Sequence, residues 1–390
     1  SRLFMFEKPL GMRDTLPELY EKKHQVRTSM ADTLKLWGYQ FIETPTLEYY
    51  ETVGEASAIA DQQLFKLLDK EGHTVVLRPD MTAPIARVAA SKLLNEDLPV
   101  RLAYSANVFR AQQREGGRPA EFEQIGVECL NEETVSCDGE VIALLISSLK
   151  KAGLEQFQVS IGHVGFANEL FVQILGTNGR ATALRKYLFE KNYVGYREHV
   201  NSLPLSSIDK KRLLQLLELR GGEEIIGLAL DIIENDKGKQ AILELKELWD
   251  VIKDYGVAEY VKFDFTIVSH MSYYSGILFE AYAENVGFPI GNGGRYSLIE
   301  KFGKTASATG FAVRMDTLLE ALRGGQQEEN TTHCIFFSQE RRKEAFELAA
   351  NMHEQGKKAV LQDITGVRNL DAFTKRFAET TYLIGGRANE

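Results

Sequence analysis

The chain is predicted to be an α+β protein: a largely antiparallel sheet with helices, followed by a small α/β unit. Three observations predict it. Stretches of strand length succeed one another between residues 64 and 130, a tract with a 3.6-residue apolar period fills about 138–255, and the last sixty residues alternate strand, helix, strand, helix, strand.

In order, GMRDTLPELYEKKHQVRTSMADTLKLWGY reads as a turn and a helix. Pro17 suits the first helical turn, and Val26, Met30, Leu34 and Trp37 keep helical spacing until Gly38 ends it. FIETPTLEYYETV is extended but interrupted by Pro45, which tolerates only an edge, bend or interface position. LFKLLD, HTVVLRPDMTAP, VRLAYSANVFR and EFEQIGVECL read as strands, with an apolar helix near 82–95. The helical tract follows, interrupted by the short strand FQVSIGHVG. Strands return at VKFDFTIVSHM, SGILFEAYAE and PIGNGGRY, and DTLLEALR closes the larger region as a helix. GGQQEENTT at 324–332 reads as a linker. Beyond it HCIFFS, a helix over 340–355, KAVLQD, a helix over 368–378 and TYLIGG make a βαβαβ unit.

The 390 residues are 44% hydrophobic and 26% charged, as in an ordinary globular protein. No apolar run reaches the 18 or so residues that a membrane span needs, and no signal-peptide pattern is visible, so a cytoplasmic protein is expected. Three cysteines without zinc-type spacing fit a reducing compartment and no disulfide framework. A net charge of −9 argues against broad nucleic-acid binding.

Strand alternation places side chains. In QIGVECL, Gln124, Gly126 and Glu128 share one face, and Ile125, Val127 and Cys129 the other. The polar face suits either the floor of a small-ligand pocket or the solvent side of an antiparallel sheet. In LRPDMT, Arg78, Asp80 and Thr82 fall on one side; Asp80 and Thr82 suit an ammonium group, and Asp80 equally suits a helix N-cap. Tyr273 and Tyr274 are expected on opposite faces of a strand, one packing and one offering a hydroxyl. GNGGRY at 291–296 allows close backbone approach, as any glycine-rich turn does. Arg110, Arg114 and Arg118 surround a turn containing Gly116 and Gly117, a hairpin able to grip an anion. No metal site and no Ser/His/Asp or Cys/His arrangement is readable, and no cofactor is expected.

Taken in order, GMRDTLP, GYQFIETPTLE, LRPDMTAP, FRAQQREGGRPAEFEQIGVE, SHMSYYSGILFE, GGRY and ATGFAVRMDTLLEAL resemble the histidyl branch of the class II aminoacyl-tRNA synthetases. The resemblance spans nearly all of residues 4–323. It implies a synthetase-like core over 1–323, with a helix-rich insertion at about 166–255, and a small α/β domain over 333–390. By the family's pattern Asp80, Thr82 and Gln124 hold the amino group of histidine, Glu128 and Tyr274 meet the imidazole beside Tyr273, and Arg110 meets the carboxylate.

The catalytic positions depart from that pattern. Ser269 and Ser272 replace the arginine and aspartate of the histidine signature, Thr317 replaces the motif-three arginine, and Gln112 replaces the motif-two glutamate. Arg314 stands where the family has glycine and is expected to project into crowded space. Losing one preorganised charge stabiliser costs about 10²–10³ in rate, so two missing arginines amount to roughly 10⁴–10⁶ if independent. Residues 326–390 carry nine basic and ten acidic side chains, no footprint for RNA. The combination is similar to the regulatory subunits of hetero-oligomeric ATP phosphoribosyltransferase. That resemblance implies no catalytic residues, histidine as feedback effector, the short-form catalytic subunit as partner, a synthetase-type self-dimer within a mixed assembly of four of each subunit, and no tRNA. A divergent active histidyl-tRNA synthetase, a free-standing histidine sensor and an enzyme reusing the core for another amino-acid adenylation are the other readings.

Overall fold

A computed structural model of the chain describes residues 3–112, 117–269, 273–322 and 329–386. They belong to two compact units, Ser1–Arg323 and Gly324–Glu390.

The larger unit opens with helix α1, Pro17–Leu36, where Pro17 occupies a position whose N–H has no helical partner. Met30 and Leu34 of α1 are fully buried. Gly38, at φ +84°, turns the chain into strand β1, Gln40–Phe41. Strands β2 (Leu47–Tyr49), β3 (Lys66–Leu68) and β4 (Thr74–Leu77) form a small antiparallel sheet in the order β2-β4-β3. Helix α2, Thr82–Val88, runs on into a π-helical turn at Ala89–Leu93.

Two ten-residue strands follow, β5 (Val100–Phe109) and β6 (Glu121–Leu130), paired antiparallel along their whole length. Then come α3 (Val135–Lys151), β7 (Phe157–His163), α4 (Val164–Leu175), α5 (Thr182–Phe189), α6 (Tyr193–Ser202), α7 (Ser207–Gln215), β8 (Arg220–Gly221), α8 (Glu224–Ile232) and α9 (Asp236–Asp254). The unit closes with β9 (Val261–Asp264), β10 (Tyr274–Ala283), β11 (Gly291–Tyr296), β12 (Ala308–Arg314) and α10 (Met315–Ala321). The main sheet has the order β1-β5-β6-β12-β11-β10-β7-β9-β8. It is antiparallel from β5 through β7, while β1 pairs with β5, and β9 with β7, in parallel.

Two apolar layers sandwich this sheet. Ile125, Val127 and Cys129 of β6 pack with Val141, Leu144 and Leu145 of α3. Phe122 and Leu130 of β6 pack on the other side with Tyr104, Tyr273, Tyr296 and the α2 residues Ala83 and Ile85. The thiols of Cys129 and Cys137 lie 2.9 Å apart in the first layer, and all three cysteines are free.

Strand β12 is the largest element that the sequence reading missed. Ala308, Thr309, Gly310 and Ala312 include poor strand formers, yet β12 is paired on both edges, by β6 and β11. Central pairing outweighs weak propensity here. Residues 291–296, read as a strand despite three glycines, form β11.

The smaller unit holds β13 (His333–Phe337), α11 (Arg342–Glu354), β14 (Ala359–Asp363), α12 (Leu370–Thr374) and β15 (Glu379–Leu383), with parallel strands in the order β14-β13-β15. The helix expected over 368–378 is only five residues long. Ala378 donates its N–H to the Thr332 carbonyl, so the chain must already be extended there to enter β15. Of the linker expected at 324–332, residues 324–328 lie outside the described residues.

Candidate functional site

The floor of the site comes from the alternation of two paired strands. Phe122, Gln124, Gly126 and Glu128 of β6 lie on one face, in register with Arg314, Ala312 and Gly310 of β12 opposite Gln124, Gly126 and Glu128. Gln124 and Glu128 are buried, at 7% and 2% exposure, so this face is not a solvent side of the sheet. Glycines leave it hollow. A Cβ on Gly126 would collide with the Phe311 carbonyl oxygen and the Tyr104 hydroxyl, and one on Gly310 with the Glu128 carboxylate and the Val127 carbonyl.

Glu128 is held at both oxygens. Thr82, in the first turn of α2, donates its hydroxyl to Oε1 at 3.1 Å, and the Tyr296 hydroxyl donates to Oε2. Burial pushes the Glu128 carboxyl up to about 8; the two hydroxyl donors oppose the rise and the charge of Asp80 adds to it. At neutral pH the carboxyl therefore carries a proton. An imidazole, whose ordinary pKa is about 6.5, is well matched to share that proton.

Asp80 sits just before α2, 3% exposed. Its Oδ1 accepts the Ala83 N–H at 3.1 Å, which satisfies the N-cap reading, while Oδ2 is buried with no partner among the described residues. Burial raises its carboxyl to about 6, opposed by the Ala83 N–H and the Arg110 charge. One oxygen caps a helix, and the other remains available to a cationic group. Thr82 donates its hydroxyl to Glu128, which leaves its oxygen able to accept from an ammonium. Arg78, expected beside these two, is engaged elsewhere, donating to the carbonyls of Asn107 and Thr44 at 2.8 and 2.9 Å.

Arg110 follows β5, donates from Nε to the Pro79 carbonyl at 3.0 Å, and lies over Phe122, 5.4 Å from the ring centre. Burial lowers its pKa, opposed by the nearby Asp80, and the charge of Arg314 lowers it further. Tyr273 and Tyr274 do not point to opposite faces. β10 begins at Tyr274, so Tyr273 lies in the preceding turn, where strand alternation does not apply. Both rings join Tyr296 in one cluster, with centroids 5.0, 5.7 and 6.4 Å apart. Asp80, Thr82, Arg110, Gln124, Glu128, Tyr273 and Tyr274 are thus gathered around one buried, mostly polar floor.

Tyr296, Gly310 and Tyr104 were missed by sequence reasoning. Tyr296 was findable, since Gly294 and Tyr296 share a face of β11 and a Cβ on Gly294 would press on the Tyr274 ring at 3.0 Å. Only part of the expected anion-gripping hairpin falls among the described residues. Arg110 is turned inward while Arg118 is exposed, and Gly117 receives an Arg13 hydrogen bond at its carbonyl, 2.8 Å. Arg114 and Gly116 of that turn, and Ser272, lie outside the described residues. At the motif-three position, Thr317 is 4% exposed, and its N–H bonds Asp316 at 2.9 Å. Gln112 donates to the Arg110 carbonyl at 3.2 Å. A cleft of about 650 Å³ lined by Arg27, Phe41, Ser105, Asn107 and Glu123, among others, shares no residue with this site.

Comparison with known proteins follows the two units. The family described as "Histidyl-tRNA synthetase" matches residues 11–318, and "Histidyl-tRNA synthetase HisZ, C-terminal domain" matches 334–385. A Geobacillus sp. (strain WCH70) protein named ATP phosphoribosyltransferase regulatory subunit is 62% identical over 391 residues, covering 100% of both chains. Its namesake in Bacillus subtilis (strain 168) is 60% identical, covering 100% of this chain and 99% of that one. The crystal structure of an ATP phosphoribosyltransferase regulatory subunit/histidyl-tRNA synthetase from Bacillus halodurans superposes with a TM-score of 0.91 at 56% identity, covering 98% of this chain and 100% of that chain. A histidyl-tRNA synthetase from Nostoc sp. PCC 7120, 17% identical, shares the fold with a TM-score of 0.78 over 95% of this chain and 88% of that chain.

Proposed function

The chain belongs to the ATP phosphoribosyltransferase regulatory subunit family, and we propose that histidine acts on it as feedback effector at the site around Glu128. Its role is regulatory rather than catalytic, in histidine biosynthesis, and a regulatory subunit works with a catalytic one. The partner we infer is the short-form catalytic subunit, which joins ATP to phosphoribosyl pyrophosphate.

The observation that carries the effector reading is the state of two buried carboxyls. Glu128, its carboxyl raised by burial to about 8, is braced by Thr82 and Tyr296, while one oxygen of Asp80 has no partner among the described residues. The first suits an imidazole, the end that sets histidine apart from other amino acids, and the second suits the α-ammonium that all of them share. Gln124 and Arg110 flank the amino and carboxylate ends, and the Tyr273 and Tyr274 rings enclose the ligand. Adenylation is not part of this reading: Thr317 is short, buried and bonded to its own helix where a synthetase needs a guanidinium. The small domain is read as a structural cap without tRNA recognition.

Inhibition then follows from linkage. Histidine lowers activity only to the extent that it binds the inactive state of the assembly more tightly than the active one. We place a self-dimer contact on α1 and β1. There β1 is an edge strand and Leu19, Tyr20, Leu36, Trp37 and Phe41 are 38–85% exposed.

The test is reconstitution with the short catalytic subunit, following condensation of ATP with phosphoribosyl pyrophosphate while histidine is titrated. Activity should depend on this chain, and histidine should inhibit the unaltered assembly but not one carrying Glu128→Gln. Normal inhibition of the variant refutes the site. In the same preparation, histidine-dependent exchange of pyrophosphate into ATP at synthetase-like rates refutes the non-catalytic reading.

A further inference from the structure

Among the described residues, two buried atoms of oppositely charged groups at the site have no hydrogen-bond partner: Asp80 Oδ2 and Arg314 Nε. They do not satisfy each other, although both belong to the surroundings of Arg110, whose pKa each of them shifts. An unpartnered buried polar atom is destabilising by about 1–3 kcal/mol, and more when the group is charged. A molecule carrying both an ammonium and a carboxylate would remove both penalties together.

Arg314 is well placed for the carboxylate. It ends β12 on the same face as Gly310, the residue whose missing Cβ makes room for the Glu128 carboxylate. Its guanidinium carbon lies 4.0 Å from the centre of the Phe122 ring, over which Arg110 also lies at 5.4 Å. Two guanidinium groups therefore sit on one aromatic side chain and repel, since Arg314 lowers the Arg110 pKa. Among the described residues the Arg314 guanidinium pairs with Asp316, Nη2 to Oδ2 at 3.4 Å, which leaves Nε unused. Gly310 pairs with Glu128, and Arg314 with Gln124, four residues further along β12. At roughly 3.3 Å per residue that separation is about 13 Å, room for an amino acid hydrogen-bonded at both ends.

We propose that Arg314, with Arg110, is the carboxylate-binding residue of the effector site, so that the site requires the α-carboxylate of its ligand. This rests on the effector reading above. It adds a specificity determinant: the pocket recognises three ends of the ligand, imidazole at Glu128, ammonium at Asp80 and carboxylate at Arg314.

Calorimetric titration of the full chain, alone and mixed with the short catalytic subunit, separates the two readings. The probes are L-histidine and L-histidinol, in which a hydroxymethyl group replaces the carboxylate. In Arg314→Gln, L-histidine should bind about 10–100-fold more weakly, the effect of one charge-assisted contact. L-histidinol should change by less than twofold, and Arg314→Lys should recover part of the L-histidine affinity. If Arg314→Gln leaves L-histidine binding unchanged, or weakens both ligands equally, the carboxylate assignment is overturned while the effector site stands. If the unaltered chain binds neither ligand in either state, the effector reading falls and takes the assignment with it.

Discussion

Replacing Glu128 with glutamine should make the larger unit more tolerant of alkaline pH. Glu128 is raised from 4.5 to about 8 in the folded chain, so the folded state holds a proton that the unfolded state releases. Its stabilising contribution is therefore complete below pH 4.5 and lost as pH climbs to about 8, at a slope of about 1.4 kcal/mol per pH unit. Asp80, raised from 3.8 to about 6, behaves the same way but is spent by pH 6. Between pH 6 and 8 the proton on Glu128 should thus cost the ligand-free protein ~3 kcal/mol of stability. In Glu128→Gln this part of the profile should be flat, because the amide keeps the volume and does not titrate. The chain's two tryptophans, Trp37 and Trp249, both lie in the larger unit, so their fluorescence in urea titrations at fixed protein concentration reports that unit. A flat profile for the unaltered protein from pH 6 to 8, or a parallel fall in the variant, would refute the buried, protonated state of Glu128.

Tyr296→Phe removes a hydrogen bond that holds the Glu128 value down, so the alkaline loss of stability should shift to higher pH in the same urea titrations; an unmoved midpoint counts against the bond. Gly126→Ala places a methyl group against the Phe311 carbonyl and the Tyr104 hydroxyl, in a row that is paired on both sides. It should destabilise the unit by about 1–3 kcal/mol or more through overpacking, seen as a fall in thermal midpoint; a midpoint within a degree of the unaltered chain would show that the floor can give.

What was legible in the sequence was whatever regular periodicity controls. Alternation along β6 was enough to group Gln124, Gly126 and Glu128, because a ten-residue strand paired on both edges has no freedom to break the pattern. The same rule failed at Tyr273, one residue outside its strand, where a turn sends the ring to the side occupied by Tyr274. β12 was hidden because its residues are small and the strand is defined by its neighbours β6 and β11 rather than by its own propensity. Asp80 could be read two ways from its position, and the folded chain uses it as a cap through one oxygen only. Arg314 reads from the sequence as a side chain projecting into crowded space; its stacking on Phe122 depends on the β6–β12 register, which no local window contains.

The hollow floor has a consequence for how such a chain changes over generations. Gly126, Gly294 and Gly310 are each held without a side chain by a neighbouring carbonyl oxygen, of Phe311, Ile277 and Val127 respectively. That restriction comes from folding and would persist whatever the site did. Thr317 lies in α10, outside the strands, so its alteration leaves the sheet's pairing untouched. Drift after a loss of selection would therefore erase a catalytic apparatus far sooner than it could fill the cavity beneath, leaving a ready-made amino-acid receptor to be recruited for control.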